Sequence, residues 1–281
     1  MKKTAIEEIF FKTLMRVAAI IIISTLLLII YSIFIKGLPA MNWEMITQTP
    51  KGGYYLGKEG GILNAIVGSL ILASGATLLA TVISIPIVIY INVYCRKSFL
   101  ANAIRLCFDI MWGIPSIVYG AFGFTIMIFL GMRTSLLAGI IIVSLVVLPV
   151  IVRIVDEVMR LISKGLYEAS YALGATRLQT SRRVIMKQAA TGILTAVLVA
   201  FGRAIGDAAA VLFTTGYTDS IPTSLFQAAA TLPLAIFFQL SVPIPEVTAR
   251  AYVSALILTI IILIISLLAR ILTNRYKKFK V

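Results

Sequence analysis

Six long, largely apolar stretches recur along this chain of 281 residues, at about 16–35, 62–94, 103–130, 135–161, 189–215 and 247–272. About 20 apolar residues in an α-helix cross the hydrocarbon core of a bilayer. Inside that core each backbone N–H and C=O must be satisfied within the protein, which helices do segment by segment. Hydrophobic residues make up 60% of the chain and charged residues 13%, with a mean hydropathy of +1.04. A water-soluble domain of this length has no core large enough to hide that much apolar side chain. The sequence therefore predicts an all-α membrane protein with six transmembrane helices, the second of them overlong.

The first stretch exceeds a signal-peptide h-region, and Leu38-Pro39-Ala40 after it lacks the small residue at −3 that cleavage requires, so it reads as a retained anchor. Six spans place both termini on one side. One set of loops holds Lys2, Lys3, Lys12, Arg16, Arg96, Lys97, Arg105, Arg160, Lys164, Arg177, Arg182, Arg183, Lys187, Arg275, Lys277, Lys278 and Lys280. The opposite set holds Lys36, Lys51, Lys58 and Arg133, and 216–246 holds no Lys or Arg. That asymmetry puts both termini and the 160–188 loop in the cytoplasm of a plasma-membrane protein. The net charge of +14 is thereby a matter of orientation and does not indicate nucleic acid. Histidine is absent, and Cys95 and Cys107 lack C-x-x-C spacing, which removes the usual zinc, haem and dithiol sites. No metal site is expected.

Between the fourth and fifth spans lies SKGLYEASYALGATRLQTSRRVIMKQAATG. Leu166, Ala169, Ser170, Leu173 and Leu178 outline a short amphipathic helix that breaks at Gly174 and resumes in the basic TRLQTSRR. Two readings fit: a compact plug for a partner's groove, or a basic helix resting on anionic headgroups.

Glu168-Ala169-Ser170, three residues, Gly174, nine residues and Val184-Ile185-Met186 resemble the EAA motif of ABC importer permeases. Ser170 replaces the motif's second alanine, and Lys187 stands where proline is usual, which leaves the loop and the fifth span more continuous. WGIPSIVYGAFGF at 112–124, LPVIVRIVDEVMR at 148–160, LYEASYALGATRLQTSRRVI at 166–185 and GRAIGDAAAVLFTTG at 202–216 resemble the phosphate-specific ABC transporter permeases of PstA type over most of 63–272. The resemblance implies a MetI-like permease core at 62–281, behind an anchor helix and outer loop at 1–61. It implies coupling to an ATPase through the 164–187 loop, with Glu168, Ala169, Ser170 and Gly174 in the docking element. It also implies a PstC-type second permease, a PstB-type ATPase dimer and a PstS-type phosphate-binding protein. The chain has no G-x-x-x-x-G-K-[ST] loop, so ATP and Mg belong to the partner and no cofactor is expected here.

The charges inside the spans are the candidate substrate path. Arg153 with Asp156, and Arg203 with Asp207, each set a carboxylate one helical turn after an arginine. A guanidinium fork suits phosphate oxygens, and an adjacent carboxylate holds the fork while weakening its field so that an anion passes without being trapped. A carboxylate also accepts a hydrogen bond from the P–OH of phosphate, which sulfate lacks. Against this stand a self-neutralising pair at 203 and 207, snorkelling of Arg153 and a structural Asp109 beside Arg105. Gly202-x-x-x-Gly206 reads as a helix-packing face. The expected function is a non-catalytic permease subunit that forms half the path of an ATP-driven phosphate importer. Other cargo (molybdate, tungstate or sulfate), a passive anion channel and a membrane-embedded transferase are the alternatives.

Overall fold

A computed structural model describes residues 2–51, 59–96 and 98–277; Lys58, Lys97, Lys278 and Lys280 of the charge pattern lie outside them. Helix α1 (Lys2–Gly37) leads through a short α2 (Trp43–Thr47) and the two-residue strands β1 (Pro50–Lys51) and β2 (Glu59–Gly60) into α3 (Leu63–Ile89). Helix α3 ends in a π-helical turn, Tyr90–Tyr94. Next come α4 (Phe99–Gly113), α5 (Ser116–Phe129), α6 (Leu136–Arg160), α7 (Lys164–Ala172), α8 (Arg177–Gln179), a second π-helical turn (Thr180–Ile185), α9 (Met186–Gly206), α10 (Leu232–Leu240) and α11 (Pro245–Lys277).

Helix α6 is the axis of the bundle, with 78% of its most apolar stretch buried. It packs against α3 on one side and α9 on the other. Leu72, Ala76 and Ala80 of α3, Val143, Val147 and Ile151 of α6, and Ala196 and Ala200 of α9 fill the seam. Small residues recur there because helices in lipid associate by close backbone approach. A Cβ on Gly192 of α9 would collide with the side chain of Val158, which fixes how closely α6 and α9 lie. The most apolar stretch of helix α1 has no buried residue. The helix meets the bundle where Lys36 donates to the Tyr252 hydroxyl of α11 at 3.1 Å.

Two departures from the expected spans follow from proline and glycine chemistry. The third span is two helices: α4 and α5 meet at a 97° bend around Gly113-Ile114-Pro115, where proline has no N–H to continue the ladder. The Tyr119 hydroxyl of α5 donates across the bend to the Met111 carbonyl of α4 at 2.9 Å. The fifth span stops at Gly206, not at 215, and 207–231 is irregular. Parts of that irregular backbone are tied to the bundle: Ser135 N–H donates to the Thr214 carbonyl, Leu136 N–H to Gln227 and Ala229 N–H to Thr215, while 223–227 is exposed. The apolar segment 231–240, too short to span, forms α10, which packs against α11. Among the described residues five helices are long and apolar enough to cross a membrane, and counting the bent pair as one span gives six.

Candidate functional site

The loop after α6 forms as the sequence suggests, with a different inner face. Gly174 sits at φ +78°, the left-handed conformation that ends α7 without steric cost. Thr176 opens α8 with a capping box: its hydroxyl accepts from Gln179 N–H at 3.2 Å while Gln179 Oε1 accepts from Thr176 N–H at 2.9 Å. From Arg177 to Gly206 the helix runs on through the π-helical turn, as the missing proline at 187 allows. The Ser170 hydroxyl, in place of the motif's alanine, shares a 2.9 Å hydrogen bond with Thr180, both buried, and ties α7 to α9's leading turn. Tyr167 is the other buried residue of α7. The Arg96 guanidinium lies 5.3 Å from its ring, and burial pushes its phenol upward against the opposing pull of Arg96. Glu168 and Ala169 are exposed. Leu173 and Leu178, expected on the inner face, are 89% and 56% exposed. The helix uses Tyr167 and Ser170 to face inward, which turns Leu173 outward as an apolar knob.

The intramembrane charges pair differently from their sequence spacing. Asp156 is buried, and it does not bond Arg153 three residues before it. Its Oδ1 accepts from Asn92 Nδ2 at 2.7 Å and Arg105 Nη2 at 3.2 Å. Its Oδ2 accepts from Arg105 Nε at 3.1 Å and pairs with Arg160 Nη2 at 3.0 Å. The π-helical turn at Tyr90–Tyr94 carries Asn92 into this cluster. Asp156 thus joins the ends of α3, α4 and α6. Arg153 instead bonds Asp109 of α4, Nη1 to Oδ1 at 2.9 Å, with the two side chains 50% and 49% exposed. Asp109, read from sequence as a companion of Arg105, is the counter-ion of Arg153.

Asp207 does not pair with Arg203. Helix α9 has ended, Asp207 has extended backbone, and its Oδ1 caps the following turn by accepting from Ala210 N–H at 2.9 Å. Arg203 is exposed and makes no hydrogen bond or ion pair among the described residues. Its charge reaches the Tyr119 hydroxyl in the first turn of α5. A Cβ on Gly202 or Gly206 would meet nothing within 4 Å. The expected packing face therefore borders open space within this chain, beside Arg203.

Each arginine interacts with one half of the bent pair: Asp109 of α4 bonds Arg153, and the charge of Arg203 reaches Tyr119 of α5. With Gly192 against Val158 and the two helices antiparallel, Arg203 lies level with Val147. Arg153 is six residues further along α6, or about 9 Å in depth at 1.5 Å per residue. The two guanidinium groups thus differ: Arg203 has no hydrogen-bond or ion-pair partner among the described residues, and Arg153 has one half-exposed partner.

One charged residue escaped the sequence reading. Arg250 of α11 is 4% exposed and donates to the Gly60 carbonyl at 2.8 Å. It lies among Glu44, Lys51 and Glu246 around a cavity of about 490 Å³. Asp219 beside it has a buried Oδ1 without a hydrogen-bond donor. Burial holds its carboxyl above the usual range despite the opposing charge of Arg250. The signal was an arginine inside an apolar run after an N-terminal turn carrying Glu246.

The bundle, its broken third span and its helical loop define an integral membrane permease of the binding-protein-dependent importers. Residues 84–278 match the family model described as binding-protein-dependent transport system inner membrane component, and the chain belongs to that family. Among relatives, the chain is 32% identical to the phosphate transport system permease protein PstA of Yersinia pestis over 269 residues, covering 93% of this chain and 90% of that one. It is 30% identical to PstA of Haemophilus influenzae, covering 89% and 87%. In fold it is similar to the MetNI methionine ABC transporter in inward-facing conformations (TM-score 0.62, 20% identity, 76% of this chain and 95% of that one). A bacterial alginate ABC transporter in complex with alginate-bound periplasmic protein gives a TM-score of 0.63 at 15% identity, covering 98% and 99%.

Proposed function

We propose that this chain is the transmembrane permease subunit of an ATP-driven importer for inorganic phosphate and supplies half of its translocation path. The observation that carries the reading is Arg203, an exposed arginine with no counter-ion among the described residues, whose charge reaches Tyr119 just past the bend of a broken helix, in a chain whose relatives are named phosphate permeases. Arg153, with four of its five N–H donors unused, is the second station on the path. Residues 62–281 form the permease unit and 1–61 an anchor with its outer loop. A PstC-type permease supplies the other half of the path, and a PstS-type protein delivers phosphate at the face opposite α7.

A PstB-type ATPase dimer binds ATP and Mg and does the hydrolysis. It docks on α7 through Glu168, Ala169 and the exposed Leu173, while Ser170 and Gly174 hold the shape of that loop. The charge asymmetry supports both termini and α7 in the cytoplasm. The test is ATP-dependent uptake into proteoliposomes that hold all four proteins, with labelled phosphate, sulfate and molybdate each offered as cargo. Accumulation of phosphate alone is the expected result. Accumulation of sulfate or molybdate in its place overturns the cargo, and accumulation without ATPase overturns the importer.

A further inference from the structure

Two ion pairs join α4 to α6 one helical turn apart, with their charges reversed: Arg105 to Asp156 and Asp109 to Arg153. They are built for opposite ends. Asp156 takes donors from Asn92, Arg105 and Arg160 on both oxygens and is 5% exposed, so nothing can replace it. Asp109 and Arg153 share one hydrogen bond, and each is half open to its surroundings. Oδ2 of Asp109 has no partner among the described residues, and Nε and Nη2 of Arg153 are free to take a second oxyanion side-on.

Resting on the path assigned above, we infer that Asp109 is the displaceable counter-ion of Arg153: it holds the guanidinium when the path is empty, yields when phosphate arrives, and re-forms its bond to expel the anion. Arg203 has no such competitor. An anion moving from Arg203 to Arg153 therefore passes from an uncontested cation to a contested one about 9 Å deeper, which favours release over retention. Asp109 acts through Arg153 and is a positioning residue. The inner clasp at Asp156 keeps α4 and α6 in register while the outer pair exchanges, so the exchange needs only rotamer changes at half-exposed side chains.

The test uses this chain with its partner permease and ATPase in nanodiscs, titrated with inorganic phosphate and followed by 31P line broadening. Uptake at saturating phosphate-loaded binding protein is measured in parallel. Removing the competitor with Asp109→Asn should tighten phosphate binding roughly threefold, the size of a half-exposed ion pair, and lower the maximal uptake rate by a similar factor. Asp109→Glu should restore both. A purely structural pair moves neither constant in this opposed way. Unchanged or weaker binding in Asp109→Asn, or loss of uptake together with loss of the copurifying ATPase, overturns the inference. The Arg153→Gln arm separates the two levels. If Arg153→Gln binds and transports as wild type, Arg153 is off the path and the inference falls, while the importer reading, carried by Arg203, stands. If Arg153→Gln is impaired while Asp109→Asn is silent, only the role of Asp109 falls.

Discussion

Replacing Asp156 with alanine should destabilise the protein without acting on the cargo. Asp156 accepts from Arg105 at 3.1 and 3.2 Å and from Asn92 at 2.7 Å, and pairs with Arg160 at 3.0 Å. Removing one partner of a buried pair leaves the other charge uncompensated and costs about 3–5 kcal/mol. The lower end applies because Arg105, 12% exposed, keeps weak bonds at 3.4 Å to the Ile91 carbonyl and to Asn102. Arg160, 47% exposed, turns to solvent and adds at most about 1 kcal/mol. A loss of about 3 kcal/mol corresponds to a fall in Tm of about 6–12 °C for a domain near this size. Fluorescence-detected size-exclusion after heating, in detergent, measures it. The double variant Arg105→Met with Asp156→Leu removes both charges and should recover most of the loss. An Asp156→Ala protein that keeps its Tm but loses uptake would refute the reasoning and return Asp156 to the phosphate path.

Gly174→Ala places a Cβ at φ +78°, costing about 1–2 kcal/mol; roughly a fivefold or greater weakening of ATPase copurification is expected, with membrane insertion unchanged. Gly120→Val would set a Cβ 2.8–2.9 Å from the carbonyl oxygens of Ala210 and Ala209, so α5 must shift from the 207–216 segment, with a loss of about 1–3 kcal/mol read as a lower Tm. Asp219 has a carboxyl raised by burial. Its protonated form is favoured on folding, so its contribution is fully present below the unfolded carboxylate range, near pH 4, and is lost as pH rises through the raised folded value. Asp219→Asn should therefore raise Tm at pH 7 and leave it unchanged at pH 3.5.

The number of crossings, the Gly174 break and the continuous run from Arg177 into α9 were legible because apolar length and glycine or proline chemistry act locally. The 97° bend at Gly113–Pro115 was not read from the apolar run 103–130, because its angle is set by what α4 and α5 pack against. The same limit explains the ion pairs. Spacing along one helix suggested Arg153 with Asp156 and Arg203 with Asp207. Yet Asp109 and Arg105 reach α6 from a helix 44 to 51 residues away in sequence, and Asp207 loses its pairing because the helix ends at Gly206. The inward face of α7 was misjudged for a related reason. Leu173 is the more apolar side chain, but Ser170 finds Thr180 and Tyr167 finds Arg96, and those partners come from other turns. Arg250 was passed over because its acceptor, the Gly60 carbonyl, lies 190 residues away.

The most direct test of the account is ATP-dependent phosphate uptake by the assembled importer carrying Arg203→Gln. Arg203 is exposed and bonds no other residue among those described, so its loss should leave Tm and ATPase copurification at wild-type values. A charge-assisted contact to phosphate is worth about 1.5–3 kcal/mol, so uptake should fall roughly 10- to 100-fold, with Arg203→Lys in between. Wild-type uptake by Arg203→Gln would contradict the account, since a phosphate path that ignores Arg203 is not the path described.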